Sequence, residues 1–272
     1  MIIRWANASD RASLMALWRR IFSEEEDFLQ RFFRLRFRPE NCLLLEEKGI
    51  IAAAVHTFPV RGIGFGEGIY LVGAATDPVF RRRGFMTLLL EHLKKEVGDQ
   101  PIFLFPAEDR RAFYEKRGFV SGKERLLFSL SCWEGEPQPT DPPKPTAGMM
   151  QMQYMQQLAT LGGGLLRDKI SWSFLLQESS AVTATARDYA LVCGERAIET
   201  AAEDLFAAKA LLGKLKQMGL KEVCIRKGGF LHQAILEQMT EKERISSFVS
   251  LPGGMFFSKK PIAESILIDE IY

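Results

Sequence analysis

The chain has 272 residues, enough for two domains with a core each, and 47% of them are hydrophobic against 26% charged, the balance of a globular protein. A net charge of +2 is too small for a large nucleic-acid footprint, and no apolar run reaches membrane length, so neither nucleic acid nor a bilayer is expected as a partner. Cys42, Cys132, Cys193 and Cys224 stand far apart without a CxxC, and with His56, His92 and His232 they give no metal-ligand spacing. Reduced thiols, no metal and, without a signal peptide, a cytoplasmic location are expected.

Ile2 to Trp5 reads as a short apolar strand. Ser9 is a reasonable cap for a helix with Leu14, Leu17, Trp18 and Ile21 on one side. A second helix is expected from Glu24 to about Arg36, with Glu24, Glu25, Glu26 and Asp27 in its first turn and Phe28, Phe32 and Phe33 along it; Pro39 stops it. Cys42–Glu46 and Ile50–Phe58, joined around Lys48-Gly49, read as a hairpin. The glycine run from Gly62 to Gly66 misses the last glycine of GxGxxG and reads as an inter-strand turn.

Residues 69–97 hold the sharpest signal. Ile69 to Ala75 is almost wholly apolar, as in a strand buried on both faces, and Pro78 ends it near Thr76 or Asp77. Arg81, Arg82, Arg83 and Gly84 follow, and from Phe85 the apolar residues fall at helical spacing through Leu89, Leu93 and Val97. A helix start offers free backbone N–H groups and the positive end of a dipole, and guanidinium groups suit phosphate oxygens. The stretch therefore predicts a diphosphate-binding turn. No GxxxxGK[ST] occurs, which excludes a P-loop.

Pro101–Phe105 reads as a buried strand, Asp109–Lys116 as a short helix stopped by Gly118, and Arg125–Cys132 as the last strand of a first domain. Residues 134–148 are proline-rich and poor in apolar side chains, an extended linker. The rest alternates helices near Met149–Leu161 and Lys169–Gln177 with strand-like runs at Val182–Ala186, Ala190–Cys193 and Ala197–Glu199. Thr200 to Glu203 reads as a capping box for a helix ending before Gly219, followed by strand Glu222–Arg226, helix Phe230–Met239 and two final strands. Three units are expected: 1–133, a linker at 134–148, and 149–272.

The block TDPVFRRRGFMTLLL resembles the acetyl-CoA-binding signature [RQ]xxGx[GA] of the GNAT superfamily of N-acetyltransferases, with Arg81, Gly84 and Met86 at its defined positions. Met86 replaces the usual small residue, as in the Eis (enhanced intracellular survival) type. PIFLFPAEDRRAFYEKRGFV resembles the following strand and helix of the same superfamily. The resemblance covers about residues 1–132 and implies an α/β fold, a mixed, mostly antiparallel sheet flanked by helices. The order of elements over 149–272 suggests a second, degenerate unit of the same kind without a CoA loop.

The resemblance also implies contacts. Backbone around Ala75, Thr76 and Asp77 would hold the pantetheine arm like an added strand, and Arg82, Arg83, Gly84, Phe85, Met86 and Thr87 would wrap the pyrophosphate. Tyr114 matches the tyrosine that protonates the departing thiolate; Ala107 stands where many members carry Asn. The activity implied is acetyl transfer from acetyl-CoA to a primary amine of a small molecule or peptide; the alternative is a non-catalytic acyl-CoA-binding regulatory module. Freeing a lysine-like amine of its proton at pH 7 costs roughly 4–5 kcal/mol. Holding thioester and amine in attacking geometry contributes roughly 7–11 kcal/mol, so an inconspicuous base does not weaken the reading. Candidates for that base are Glu67, His56 and Asp77, with the terminal carboxylate of Tyr272 as a fourth, by similarity to Eis-type enzymes. Neither the acceptor nor the oligomeric state is legible.

Overall fold

The computed structural model describes residues 1–22, 24–135, 144–240, 243–244, 247–262 and 268. The first part of the chain runs β1 (Ile2–Trp5), α1 (Arg11–Ile21), α2 (Glu26–Leu35), β2 (Cys42–Glu47), β3 (Ile50–Ile63), β4 (Gly66–Thr76), α3 (Phe85–Glu96), β5 (Ile102–Leu104), α4 (Arg111–Glu115), β6 (Val120–Ser121) and β7 (Arg125–Ser129). Then come α5 (Ala147–Thr160), β8 (Gly164–Leu165), α6 (Lys169–Glu178), β9 (Ser180–Val182), β10 (Asp188–Cys193), β11 (Arg196–Ala202), α7 (Leu205–Gln217), β12 (Glu222–Arg226), α8 (Phe230–Glu237), β13 (Phe248–Leu251) and β14 (Met255–Phe257). No described helix is long and apolar enough to cross a membrane.

The strands form two mixed sheets. The first has the order β1-β2-β3-β4-β5-β14-β6 with β8 added at β3; the second is β13-β7-β12-β11-β10-β9. Each sheet contains a parallel pair joined through a helix, β4-α3-β5 in one and β11-α7-β12 in the other, among antiparallel neighbours. The second sheet thus repeats the pattern of the first. Strand β7, which the sequence suggests closes the first domain, pairs instead with β12 and β13 in the second sheet. Its place beside β5 is taken by β14, from the far end of the chain. Both are short apolar strands, so neither carries a label saying which sheet it will complete.

Burial explains the layering. In β2, Cys42 and Leu44 face α1 and α2, whereas Leu43 and Leu45 face α3 and α4, and all four are fully buried. This is the uninterrupted apolar run expected of a strand covered on both sides. Helix α2 is in turn clamped by α6 from the second half. Arg36 makes a two-pronged ion pair with Asp168 at 2.7 and 2.9 Å, and the Arg31 guanidinium lies 4.2 Å from the centre of the Phe174 ring.

Three helix starts differ from expectation. Ser9 does not cap α1: it lies in a 3-10 turn, Ala8–Asp10, capped by Asn7, which accepts from the Ser9 N–H at 2.9 Å, and α1 follows at Arg11. Helix α2 begins at Glu26, so Glu24 belongs to the α1–α2 connection. Thr200 lies inside β11, its hydroxyl bonded to the Cys224 carbonyl at 3.0 Å, and α7 is capped by Asp204, which accepts from the Ala207 N–H at 2.8 Å. The capping-box pattern was overridden because pairing with β10 carries β11 on to Ala202.

Candidate active site

Strands β4 and β5 run parallel and in register from Ile69↔Ile102 to Leu71↔Leu104, then part. The cause is a bulge in β4. Ala75 pairs with Ala54 and Val72 with His56, leaving Gly73 and Ala74 together opposite Val55. An extra residue bends a strand away from its neighbour. Gly73 takes a left-handed φ of 60°, and a Cβ there would lie 2.0 Å from Trp18 Cζ2. Glycine is required twice over, by dihedral and by space. Trp18 is fixed from behind, because its Nε1–H donates to His56 Nε2 at 3.1 Å.

Between the parted strands lies a cavity of about 900 Å³. One wall is cationic, with Arg81 and Arg82 from the turn after β4, Arg110 from the turn before α4, and Arg117 after it. Arg82 and Gly84 both have left-handed φ, 64° and 79°, and α3 starts at Gly84 without a side-chain cap. The first N–H groups of α3, at Phe85, Met86 and Thr87, are therefore available to an anion, with the helix dipole behind them. Arg117 donates to the Thr87 hydroxyl and stacks 3.5 Å from the Phe113 ring centre, tying α4 to the start of α3. The opposite wall is aromatic, with Trp18, Phe22, Phe28 and Phe32 from α1 and α2 in a chain of ring contacts.

Tyr114 on α4 lines the same cavity and is 7% exposed. Burial pushes its phenol up to about 12, against the opposing pull of Arg110 and Arg117, and its hydroxyl has no hydrogen-bond partner among the described residues. The site thus combines an uncapped helix start flanked by arginines, a strand edge that β5 leaves unpaired, and a buried, protonated phenol.

Residues 2–121 match the family model described as Acetyltransferase (GNAT) domain. That stretch is a GNAT acetyltransferase domain. The fold of nearly the whole chain recurs in solved structures. A probable N-acyltransferase of unknown function from Enterococcus faecalis is 14% identical with a TM-score of 0.73, over 97% of this chain and 73% of that one. A GCN5-related N-acetyltransferase from Anabaena variabilis is 14% identical, TM-score 0.69, over 94% and 72%. Eis1 from Mycobacterium abscessus is 12% identical, TM-score 0.68, over 95% and 74%. No curated protein sequence matches the chain.

Within the GNAT domain the cavity gathers Thr76, Arg82, Gly84, Phe85, Met86, Thr87 and Tyr114 from the residues singled out by sequence. Three others do not line it. Ala75 is fully buried and pairs with Ala54 on β3; the Arg83 guanidinium sits 5.3 Å from the centre of the Phe80 ring. Asp77 is buried, accepts from the Val79 N–H at 3.1 Å and is bridged by Arg20 at 2.8 Å.

None of the three internal base candidates lines the cavity either. Glu67 is exposed and pairs with Arg61 at 3.1 Å. His56 is fully buried behind Trp18, and burial drops its imidazole to about 3, so it is a neutral acceptor for the indole. Tyr272 lies outside the described residues. Among the described residues, the carboxylates that do line the cavity are Glu24 and Asp109, and Asp109 is next to Arg110, 3.2 Å away. Glu24 was missed because its position at the head of an acidic run reads as a helix first turn. The signal that could have found it is its place between Phe22 and Phe28.

The second sheet shows what happens to the same splay without a ligand turn. Its parallel pair separates after Ala197↔Val223, and the space between β11 and β12 is filled by side chains. Arg167 forks onto Glu199 at 2.6 and 2.7 Å, Arg226 reaches the same carboxylate at 3.4 Å, and the Tyr189 hydroxyl donates to it at 2.6 Å. About 10 Å³ remains beside them, no more than one water's worth.

Proposed function

We propose that the chain transfers an acetyl group from acetyl-CoA to a primary amine of a small molecule or peptide, by direct attack with both substrates bound. Residues 1–133 are the catalytic unit in this reading, 134–148 its linker and 149–272 a companion unit. The observation that carries it is the single cavity in which an arginine-flanked, uncapped helix start, the free edge of β4 and Tyr114 meet.

The diphosphate would take the N–H groups of Phe85 to Thr87 with Arg82 beside them, and Arg83 adds charge from behind the turn. The pantetheine arm would run along β4 from Ala75 and Thr76 toward the bulge, with Asp77 holding the end of the strand. The amine nitrogen attacks the thioester carbonyl carbon, the C–S bond breaks, the ammonium proton is lost, and the thiolate gains one. A phenol near 12 is protonated throughout the physiological range. Full transfer of its proton to a thiolate of ordinary pKa about 8.5 is uphill by roughly 5 kcal/mol, so Tyr114 acts chiefly by hydrogen-bonding the sulfur as charge develops.

The test is calorimetric titration of acetyl-CoA and CoA, followed by thiol release on adding amines. Binding with release supports transfer. Binding without release for any amine supports the second reading, a regulatory acyl-CoA-binding module, and no binding removes both.

A further inference from the structure

The two walls of the cavity have opposite chemistry. The α3–α4 side offers four guanidinium groups, which favour a diphosphate and repel an ammonium ion. The α1–α2 side contributes Trp18, Ile21, Phe22, Phe28 and Phe32, and its charged group among the described residues is Glu24. Where the strands part, Val72, Phe105 and Pro106 add further apolar surface. Among the described residues on that side, a ligand meets ring faces and one carboxylate, without an array of side-chain hydroxyls or amides.

We infer that the acceptor is a small amine with an apolar or aromatic body, bound as its cation by Glu24 and the faces of Phe22 and Phe28, and not a polyhydroxylated amine. The inference rests on the acetyl-transfer reading of the same cavity and narrows its acceptor. Aromatic faces attract an ammonium ion and cover an apolar body at the same time. An amino sugar would place its hydroxyls against Phe28, Phe32 and Val72, stripped of water and without partners, which is costly. Glu24 is suited to the task by its surroundings. Partial burial, and then the Glu178 carboxylate at the end of α6, raise its carboxyl above the usual range, and an arriving cation relieves both. Since Glu178 belongs to the second half of the chain, that half shapes the acceptor end as well.

The experiment titrates 2-phenylethylamine and glucosamine into the full chain, with and without saturating CoA, by calorimetry. Expected are an affinity for 2-phenylethylamine roughly tenfold or more above that for glucosamine, and a loss of roughly tenfold in E24Q with CoA affinity unchanged. Aniline, uncharged at pH 7, should bind wild type and E24Q alike, which separates a charge effect from a structural one. Equal or tighter binding of glucosamine overturns the inference, as does E24Q binding 2-phenylethylamine like wild type. If 2-phenylethylamine binds as expected but separate assays with acetyl-CoA release no thiol with it or any other amine, the preference of this wall for an apolar cation stands and the transfer reading fails. If CoA does not bind, the titrations without it still decide between the two amines.

Discussion

At the scale of single residues, two glycines in left-handed backbone have opposite surroundings. A Cβ at Gly84 meets nothing within 4 Å, so G84L should cost only the left-handed penalty of about 1–2 kcal/mol. Its side chain would still stand at the mouth of the anion turn. The expected result is a folded protein, by its melting curve, with CoA affinity reduced about a hundredfold or more by calorimetry, comparable to losing two or more charge-assisted hydrogen bonds. Y114F removes a hydroxyl without a described partner, so stability should hold while turnover falls by about 10²-fold at constant CoA affinity, measured by thiol release. His56 makes a prediction about pH. Its imidazole is held near 3 in the fold and titrates near 6.5 when unfolded, so the unfolded chain takes up the extra proton as pH falls. Its contribution is present above pH 6.5 and is lost on acidification, by about 2 kcal/mol at pH 5. Denaturation midpoints at pH 7 and pH 5 should differ less in H56Q, which keeps an acceptor for Trp18 and cannot titrate.

At the scale of elements, the bulge in β4 decides where the site is. Gly73 is packed against Trp18, so G73A must displace an indole that is itself bonded to His56. Overpacking and the left-handed dihedral together should cost about 2–4 kcal/mol, read from denaturant unfolding, and the acceptor wall should move with Trp18. The contrast with Gly84 was invisible in sequence, where both are glycines near the end of the same strand. The turn and helix after it were legible, because Pro78, three arginines, Gly84 and the leucine spacing are local signals. Glu24 was not, since only the true start of α2 at Glu26 releases it into the cavity.

At the scale of the molecule, the exchange of β7 and β14 binds the two sheets into one unit. A chain ending at Trp133 would leave β5 without its antiparallel neighbour β14, and β7 without a sheet. It should show no cooperative melting transition, and a soluble fragment that binds CoA would refute the dependence. Glu199 supplies the carboxylate that Arg167 and Arg226 share in the splay of the second sheet. E199Q should lower stability by about 3 kcal/mol, measured by denaturant unfolding, because removing one member of a buried ionic group exposes the desolvation cost of the rest.

The amino-acid sequence alone determined the strands and helices with strong periodicity, the basic turn at Arg81–Gly84 and the tyrosine of FYEKRGF, because each is written in neighbouring residues. Tertiary structure decided which sheet β7 and β14 complete, which wall of the cavity is cationic and which aromatic, and why His56, Asp77 and Glu67 stand outside it. Those outcomes depend on pairing and burial between residues distant along the chain, and a side chain's environment is not encoded at its own position.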